Sequence, residues 1–105
     1  MNYIFEIKDK TGKRIHLSIE RWKHILKHPN MDENQLEIIK DTILNPMTMR
    51  YFEEDENVKY YYKHFKNNSS EERYLLVSVK YLNGEGFIIT SFFTDKITGL
   101  KWQMK

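Results

Sequence analysis

Two strands and the turn between them form the clearest element of this sequence. Residues 73–94 read RYLLVSVKYLNGEGFIITSFFT. Leu75, Val77 and Val79 fall at every second position before Asn83-Gly84, a dipeptide typical of a tight turn between antiparallel strands. An apolar run rich in β-branched and aromatic residues follows the turn, which is the composition of a strand. The sequence therefore predicts antiparallel strands over residues 73–82 and 87–94.

The same period-two pattern begins near Met47 and adds two earlier strands. Residues 48–53 and 58–66 carry it, and short polar segments separate all four predicted strands. Connections this short favour antiparallel pairing, because parallel neighbours need a crossover of roughly a dozen residues or more. We therefore expect a four-stranded antiparallel meander in this part of the chain.

The N-terminal part is predicted to contain a short hairpin followed by a helix. Extended patterns over residues 3–8 and 14–17 flank a break at residues 9–12, which favours a hairpin. Ser18 is a favourable N-cap for the helix, and Trp22, Ile25 and Leu26 share one apolar stripe. The helix should end at His28-Pro29, because a residue before proline disfavours the helical region.

A second helix is predicted between Asp32 and Asn45-Pro46. Asp32 and Gln35 have the spacing of a capping box. Met31 and Leu36 have the spacing of a hydrophobic staple. Two helices combined with a meander give the α+β class. Because 105 residues are too few for two independently stable cores, we expect one domain over residues 1–105.

Composition excludes several classes of protein. The chain has no Cys, which excludes disulfides, thiolate catalysis and Cys-ligated zinc. No apolar run approaches the roughly 18 residues that a membrane helix needs, and the N-terminal residues lack the pattern of a signal peptide. We therefore expect a cytoplasmic protein with no membrane partner.

The net charge of +2 is distributed unevenly along the chain. Residues 1–28 carry seven Lys or Arg and three Asp or Glu, and residues 57–105 carry eight and four. Residues 29–56 carry two and eight. Two basic segments thus flank an acidic one. Their charges either attract a polyanion to one face or are merely solvated.

The histidines are the first candidates for chemistry. His24 and His28 are four residues apart on the first predicted helix, so they lie on one helical face. Imidazole titrates near neutral pH and suits general acid and base catalysis or phosphate contact. The alternatives are surface histidines without a role, or a metal site that also includes His64.

The strands contribute a second group of candidates. Period two places Tyr62 and His64 on one face of their strand and Lys63 on the other. Tyrosines interleaved with lysines suit stacking on bases and contact with phosphates, although they are also ordinary packing residues. Lys80 interrupts an apolar strand on the face opposite its core residues.

The residues that accompany Lys80 depend on the turn between the last two predicted strands. A two-residue turn at Asn83-Gly84 would place Ser91 on the face of Lys80. A three-residue loop with a bulge would place Thr90 and Thr94 there instead. A register slip of one residue exchanges the two faces, so the sequence leaves both alternatives open.

Several segments together resemble a known family. Residues 21–29, RWKHILKHP, precede a second helical segment that ends in Asn45-Pro46. The Tyr-rich strand at residues 60–62, the Val-rich strand ending at Lys80 and the strand at residues 88–90 follow in order. This arrangement over residues 15–96 resembles the barnase–EndoU–colicin–RelE-like nuclease superfamily, in its phage-associated branch.

The resemblance implies a metal-independent endoribonuclease, often the toxin of a toxin–antitoxin pair. It implies RNA and a cognate antitoxin protein as partners, and no cofactor. It carries site residues over only for His24, His28 and Thr90; the chemistry of the residues adds the others. The predicted catalytic residues are His24, His28, His64, Lys80 and Thr90, and the predicted substrate-binding residues are Arg50, Tyr62, Lys63 and Ser91. The alternative function is an RNA- or protein-binding module of the same fold without turnover.

Two expectations concern the placement of these residues. His28 should lie at the C-terminal end of the first helix, where the helix dipole would raise its pKa, and should share a site with Lys80. The acidic surface of the second helix should lie away from the substrate, because carboxylates repel phosphate. That surface is formed by Glu33, Glu37 and Asp41.

Overall fold

A computed structural model of the chain describes residues 3–98, 100 and 101. It confirms the α+β class and the predicted order of a hairpin, two helices and a series of strands. The elements in chain order are β1 (Tyr3–Lys8), β2 (Arg14–Ser18), α1 (Ile19–Ile25), α2 (Gln35–Leu44), β3 (Thr48–Phe52), β4 (Asp55–His64), a 3-10 turn (Ser70–Glu72), β5 (Tyr74–Leu82), β6 (Glu85–Thr94) and β7 (Leu100–Lys101).

The strands form one mixed sheet in the order β1-β2-β6-β5-β4-β3-β7. The predicted meander is present as β3 to β6, which pair antiparallel in sequence order. The sheet is larger than the four antiparallel strands predicted, because β2 pairs parallel with β6 and adds the hairpin to it. At this junction Ile15 pairs with Gly86. Local sequence patterns could not predict this pairing, because the two segments are distant in sequence.

Both helices pack on one face of the sheet. Trp22 and Ile25 from α1 and Ile39 and Ile43 from α2 are buried in the same apolar cluster as the central residues of β5. Burial of such a face is the main source of helix stability in proteins. We call this the helix-covered face, and the opposite side of the sheet the open face. The buried residues that β5 contributes to the helix-covered face are Leu75, Val77 and Val79.

Helix α1 is shorter than predicted. It begins after Ser18, whose Oγ accepts the backbone N–H of Arg21 at 3.1 Å, and it ends at Ile25 rather than at His28. Leu26, predicted to belong to the buried stripe, is 40% exposed. The backbone N–H of His28 donates to the carbonyl of Ile25 at 3.0 Å, so the chain turns tightly after the helix and carries His28 away from its axis.

Helix α2 begins at Gln35, and its N-cap is Asn34 rather than the predicted Asp32, because Asp32 and Glu33 lie in the turn before the helix. The side chain of Gln35 accepts the backbone N–H of Asp32 at 2.7 Å, while the Asp32 carboxylate accepts the N–H of Asn34 at 2.8 Å. The helix ends at Leu44, as the following Asn-Pro predicts. Among the described residues, no helix is long and apolar enough to cross a membrane.

A bulge in β6 decides which hydroxyl shares a face with Lys80. The connection between β5 and β6 is the two-residue turn, because Leu82 pairs with Glu85. Beyond it, Val79 pairs with Ile88 and Ser78 with Thr90, so the intervening residue of β6 has no partner in the β5 register. The bulge reverses the alternation, and Thr90 rather than Ser91 lies on the open face.

Candidate active site

One row of side chains crosses the open face of the sheet. Arg50 of β3 is registered with Tyr60 of β4, Tyr60 with Ser78 of β5, and Ser78 with Thr90 of β6. Adjacent strands lie about 4.8 Å apart, so the row spans roughly 14 Å of the sheet. Ser78 is small and only 4% exposed. It therefore forms the floor of the row, with the larger Tyr60 and Arg50 on one side and the hydroxyl of Thr90 on the other.

His28 extends this row at the edge of the sheet. Its Nε2 lies 3.3 Å from Oγ1 of Thr90, within hydrogen-bond distance, and its ring centroid lies 5.2 Å from that of Phe92. The ring of His24 meets His28 edge-on at a centroid distance of 5.6 Å. The turn after α1 therefore brings two imidazoles to the open face beside the hydroxyl of Thr90.

The environment of His28 favours its neutral form. Partial burial is the main cause of a lowered pKa, and the neighbouring His24 lowers it further. Burial penalises a charged imidazolium, and a second cation nearby repels it. The expected rise of the His28 pKa from the dipole of α1 was wrong, because the helix ends three residues earlier and burial outweighs the dipole.

Lys80 lies on the open face two residues beyond Ser78 on β5, about 7 Å along the strand. Its Nζ lies 3.3 Å from a carboxylate oxygen of Asp55. Both side chains are partly exposed, at 41% and 32%, so a phosphate can compete for the ammonium group in solvent. Lys80 thus extends the polar row with a cation on the same surface.

Arg50 and Tyr60 give the other end of the row a cation and a protonated phenol. Nε of Arg50 is buried without a hydrogen-bond partner among the described residues, and guanidinium groups favour phosphate oxygens as acceptors. Burial raises the pKa of Tyr60, with smaller contributions from Tyr62 and Glu54. The phenol therefore keeps its proton and can donate a hydrogen bond to an anion.

A family model described as phage-Barnase-EndoU-ColicinE5/D-RelE like nuclease2 matches residues 5–104. The chain belongs to this nuclease family. The matched range includes the row, both histidines of the first helical segment and Lys80. Comparison with curated proteins and with solved structures finds no match.

The structure of this nuclease separates four predicted residues from the row. Ser91 faces the interior, fully buried, and its Oγ donates to the carbonyl of Leu76 at 2.8 Å. Lys63 lies on the helix-covered face and pairs with Asp41 of α2. His64 is exposed at the end of β4, with its ring 5.4 Å from Tyr74. It is four residues from Tyr60, or about 13 Å along the strand.

Tyr62 is the fourth of these residues, and it is covered although it lies on the open face. Its side chain is 0% exposed, and its hydroxyl accepts the backbone N–H of Thr98 at 3.0 Å. The segment that follows β6 thus closes this end of the open face. Tyr60, which is partly exposed on the same face, is the tyrosine that lies in the row. Period two places both tyrosines on one face, so alternation alone cannot distinguish them.

The three-histidine metal site considered from the sequence is not assembled. His24 and His28 are adjacent, but His64 lies at the far end of β4. In the part of the chain that the structure describes, no three His, Asp or Glu side chains are grouped closely enough to hold a metal ion. The open face instead groups imidazoles, hydroxyls and cations, which are the groups that bind a phosphodiester.

Proposed function

We propose that this nuclease is an endoribonuclease that cleaves RNA by attack of a ribose 2′-hydroxyl on the adjacent phosphate. The observation that carries the proposal is His28, held 3.3 Å from Thr90 on the open face with a lowered pKa. A neutral imidazole near neutral pH is the form that accepts a proton from a hydroxyl. The reaction needs a base, an acid and cations, and imidazoles, hydroxyls and cations lie together on the open face.

In the proposed reaction, His28 removes the proton of the 2′-hydroxyl as its oxygen bonds to phosphorus. The bond from phosphorus to the 5′-oxygen of the next nucleotide breaks, and that oxygen takes a proton from His24, the second imidazole at this edge. Lys80 stabilises the negative charge on the phosphorane, and Arg50 binds the substrate at the other end of the row. The products are a 2′,3′-cyclic phosphate and a 5′-hydroxyl.

The test is cleavage of a single-stranded RNA by the purified protein in the presence of EDTA. We expect a cyclic phosphate product, and no cleavage where the target nucleotide is 2′-deoxy. His28→Ala should reduce the rate by roughly 10²-fold or more, the usual size of an acid–base contribution. His64→Ala is the matched control and should stay within a few fold, because that ring lies outside the row.

A second pair of variants tests the hydroxyl beside His28. Thr90→Val removes the hydroxyl and keeps the shape, so it should lower the cleavage rate roughly tenfold by removing a group that orients the base. Thr94→Val is the control, because it makes the same change farther along β6.

Equal cleavage of RNA and DNA, or full activity of His28→Ala, would contradict the proposed reaction. RNA binding that weakens steeply with salt, without cleavage, would favour the binding module instead.

The proposal includes a biological role as a toxin in the cytoplasm, where RNA is accessible, with a neutralising partner protein. The family resemblance of residues 15–96 and the chemistry of the row support this role. Induced expression should stop growth, and His28→Ala should relieve the arrest. Co-expression of a small acidic protein encoded beside the nuclease should also relieve it if that protein is the antitoxin.

A further inference from the structure

A pocket of about 240 Å³ lies on the open face beside the row, between α1 and β6. Phe87 and Lys80, which face each other across β6 and β5, form one side. The bulge residue Ile89 and Arg21 of α1 form another. The row is about 7 Å away along β5, the separation of Lys80 from Ser78. The pocket is thus adjacent to the site at which the phosphate would be cleaved.

Three of the residues that line this pocket have rings that lie side by side. The centroids of Tyr3 and His16 are 4.5 Å apart, and those of His16 and Phe87 are 5.3 Å apart, with interplanar angles of 30° and 28°. Phe87 is only partly buried. It therefore offers a flat apolar surface at one end of this series of rings.

The middle ring of the series is fixed by two carboxylates. His16 is 5% exposed. Its Nε2 lies 2.9 Å from Oε1 of Glu85. Its Nδ1 lies 3.1 Å from Oε2 of Glu6, but the two atoms are not aligned for a hydrogen bond. Arg14 lies within 4 Å of both carboxylates. These contacts hold the ring against Phe87, so a ligand stacking on Phe87 would meet a surface that is already ordered.

Two cations stand at the rim of the pocket. Arg21 is exposed, and within residues 3–98 it forms no ion pair. Among the described residues, the ion-pair partner of Lys80 is the partly exposed Asp55. Aromatic surface beside such cations binds a planar heterocycle that carries a phosphate, since the ring stacks while the cations contact the anion.

We propose that this pocket binds the base of the nucleotide next to the cleaved phosphodiester, with Phe87 as the stacking surface and Arg21 on the phosphate. This assignment rests on the proposed ribonuclease function and makes the pocket a determinant of substrate choice. A nucleobase fits the apolar interior, whereas inorganic phosphate would use only the rim.

The test is NMR titration of ¹⁵N-labelled protein with the four nucleoside 3′-monophosphates, and separately with inorganic phosphate. We expect the nucleotides to shift the amide signals of residues 86–89, and at least one base to bind more tightly than the others. Phosphate should leave these signals unchanged at the same concentration. Phe87→Leu should weaken nucleotide binding roughly tenfold, the effect of losing most of one stacking contact.

Phe65→Leu is the matched control, because Phe65 packs against Phe93 on the helix-covered face. It should leave nucleotide binding unchanged. Arg21→Gln should weaken binding of the nucleotides but leave binding of the corresponding nucleosides unchanged. Equal shifts with phosphate and nucleotides, or unchanged nucleotide affinity in Phe87→Leu, would overturn the assignment.

The pocket and the proposed reaction can fail separately. If the wild-type protein binds nucleotides through Phe87 but cleaves no RNA, the pocket is supported and the ribonuclease proposal fails. If RNA is cleaved and His28→Ala abolishes cleavage, while Phe87→Leu changes neither KM nor base preference, the pocket assignment fails and the reaction stands.

Discussion

At the scale of single residues, burial and the neighbouring His24 control the protonation of His28. Burial and the charge of His24 both lower its pKa below the ordinary value of 6.5. The neutral form, which is the proposed base, therefore predominates from a lower pH than in an unperturbed histidine. The profile of kcat/KM against pH reports the pKa of the base in the free enzyme. The midpoint of its rising limb should therefore lie below pH 6.5.

His24→Gln should raise the pKa of His28 but leave it below the ordinary value. The substitution removes the repelling charge, which is the smaller cause, while burial remains. The measurement is an NMR titration of the His28 ring protons, which follows this one group even if His24 also takes part in turnover. Lys23→Gln removes another charge of α1 and should not move the titration. A downward shift, or none, in His24→Gln would contradict the account.

The residues of the row were only partly predictable from the sequence. Alternation placed Lys80 and Ser78 on one face of their strand and Tyr60 and Tyr62 on one face of theirs, and motif resemblance identified His28 and Thr90. Alternation could not decide whether Tyr60 or Tyr62 is accessible in the row. The segment that covers Tyr62 follows β6 in the chain and has no periodic pattern of its own. Arg21 and Phe87 were missed, since their partners are on elements distant in sequence.

At the scale of elements, local signals predicted the helices and the meander but not the parallel contact of β2 with β6. Turn residues and alternation act over a few positions, whereas this contact joins residues about seventy positions apart. The sequence offered a bulge only with a three-residue loop, whereas β6 combines a bulge with the two-residue turn, because Ile88 and Ile89 are equally suited to either side of the sheet. A single extra residue thus decided the placement of Thr90.

Gly86 is the point at which the hairpin and the meander meet, and Gly86→Ala should destabilise the protein. A Cβ there would lie 3.0 Å from Cγ1 of Ile15 and 3.0 Å from Cγ1 of Val79. Overpacking of a core costs about 1–3 kcal/mol, measured as the free energy of unfolding in urea.

Val79→Ala provides the internal control for Gly86→Ala. It removes one of the crowded methyl groups, so the double variant should lose less stability than the sum of the two single losses. Additive losses, or a loss below about 0.5 kcal/mol in Gly86→Ala, the range of ordinary surface changes, would show that the junction has room for a side chain.

At the scale of the whole molecule, the sheet places its lysines on two opposite surfaces. Asp41 of α2 pairs with Lys63 on the helix-covered face, and this lysine lowers the Asp41 pKa. Lys80 and Arg50 lie on the open face instead. Helix α2 packs on the side of the sheet opposite the row, so in the proposed function its acidic surface lies away from the substrate.

Two lysines of neighbouring strands therefore provide a matched comparison of the faces. Lys80→Gln should lower RNA cleavage by at least tenfold, because it removes a cation beside the scissile phosphate. Lys63→Gln should change cleavage by no more than a few fold and should cost at most about 1 kcal/mol of stability, since its ion pair is partly exposed. Equal losses of cleavage in the two variants would mean that RNA contacts both faces.

The fold brings His28 and Lys80 to one surface although 52 positions separate them in the chain. The turn after α1 places His28 on Thr90, and β5 carries Lys80 two residues beyond the partner of Thr90. If both act on one phosphate, His28→Ala and Lys80→Ala should each reduce the single-turnover cleavage rate by roughly 10²-fold. The double variant should be far less impaired than the product of the two losses, because groups that act as a unit are not additive. A combined loss of roughly 10⁴-fold would instead show two independent contributions, and the shared phosphate site would be wrong.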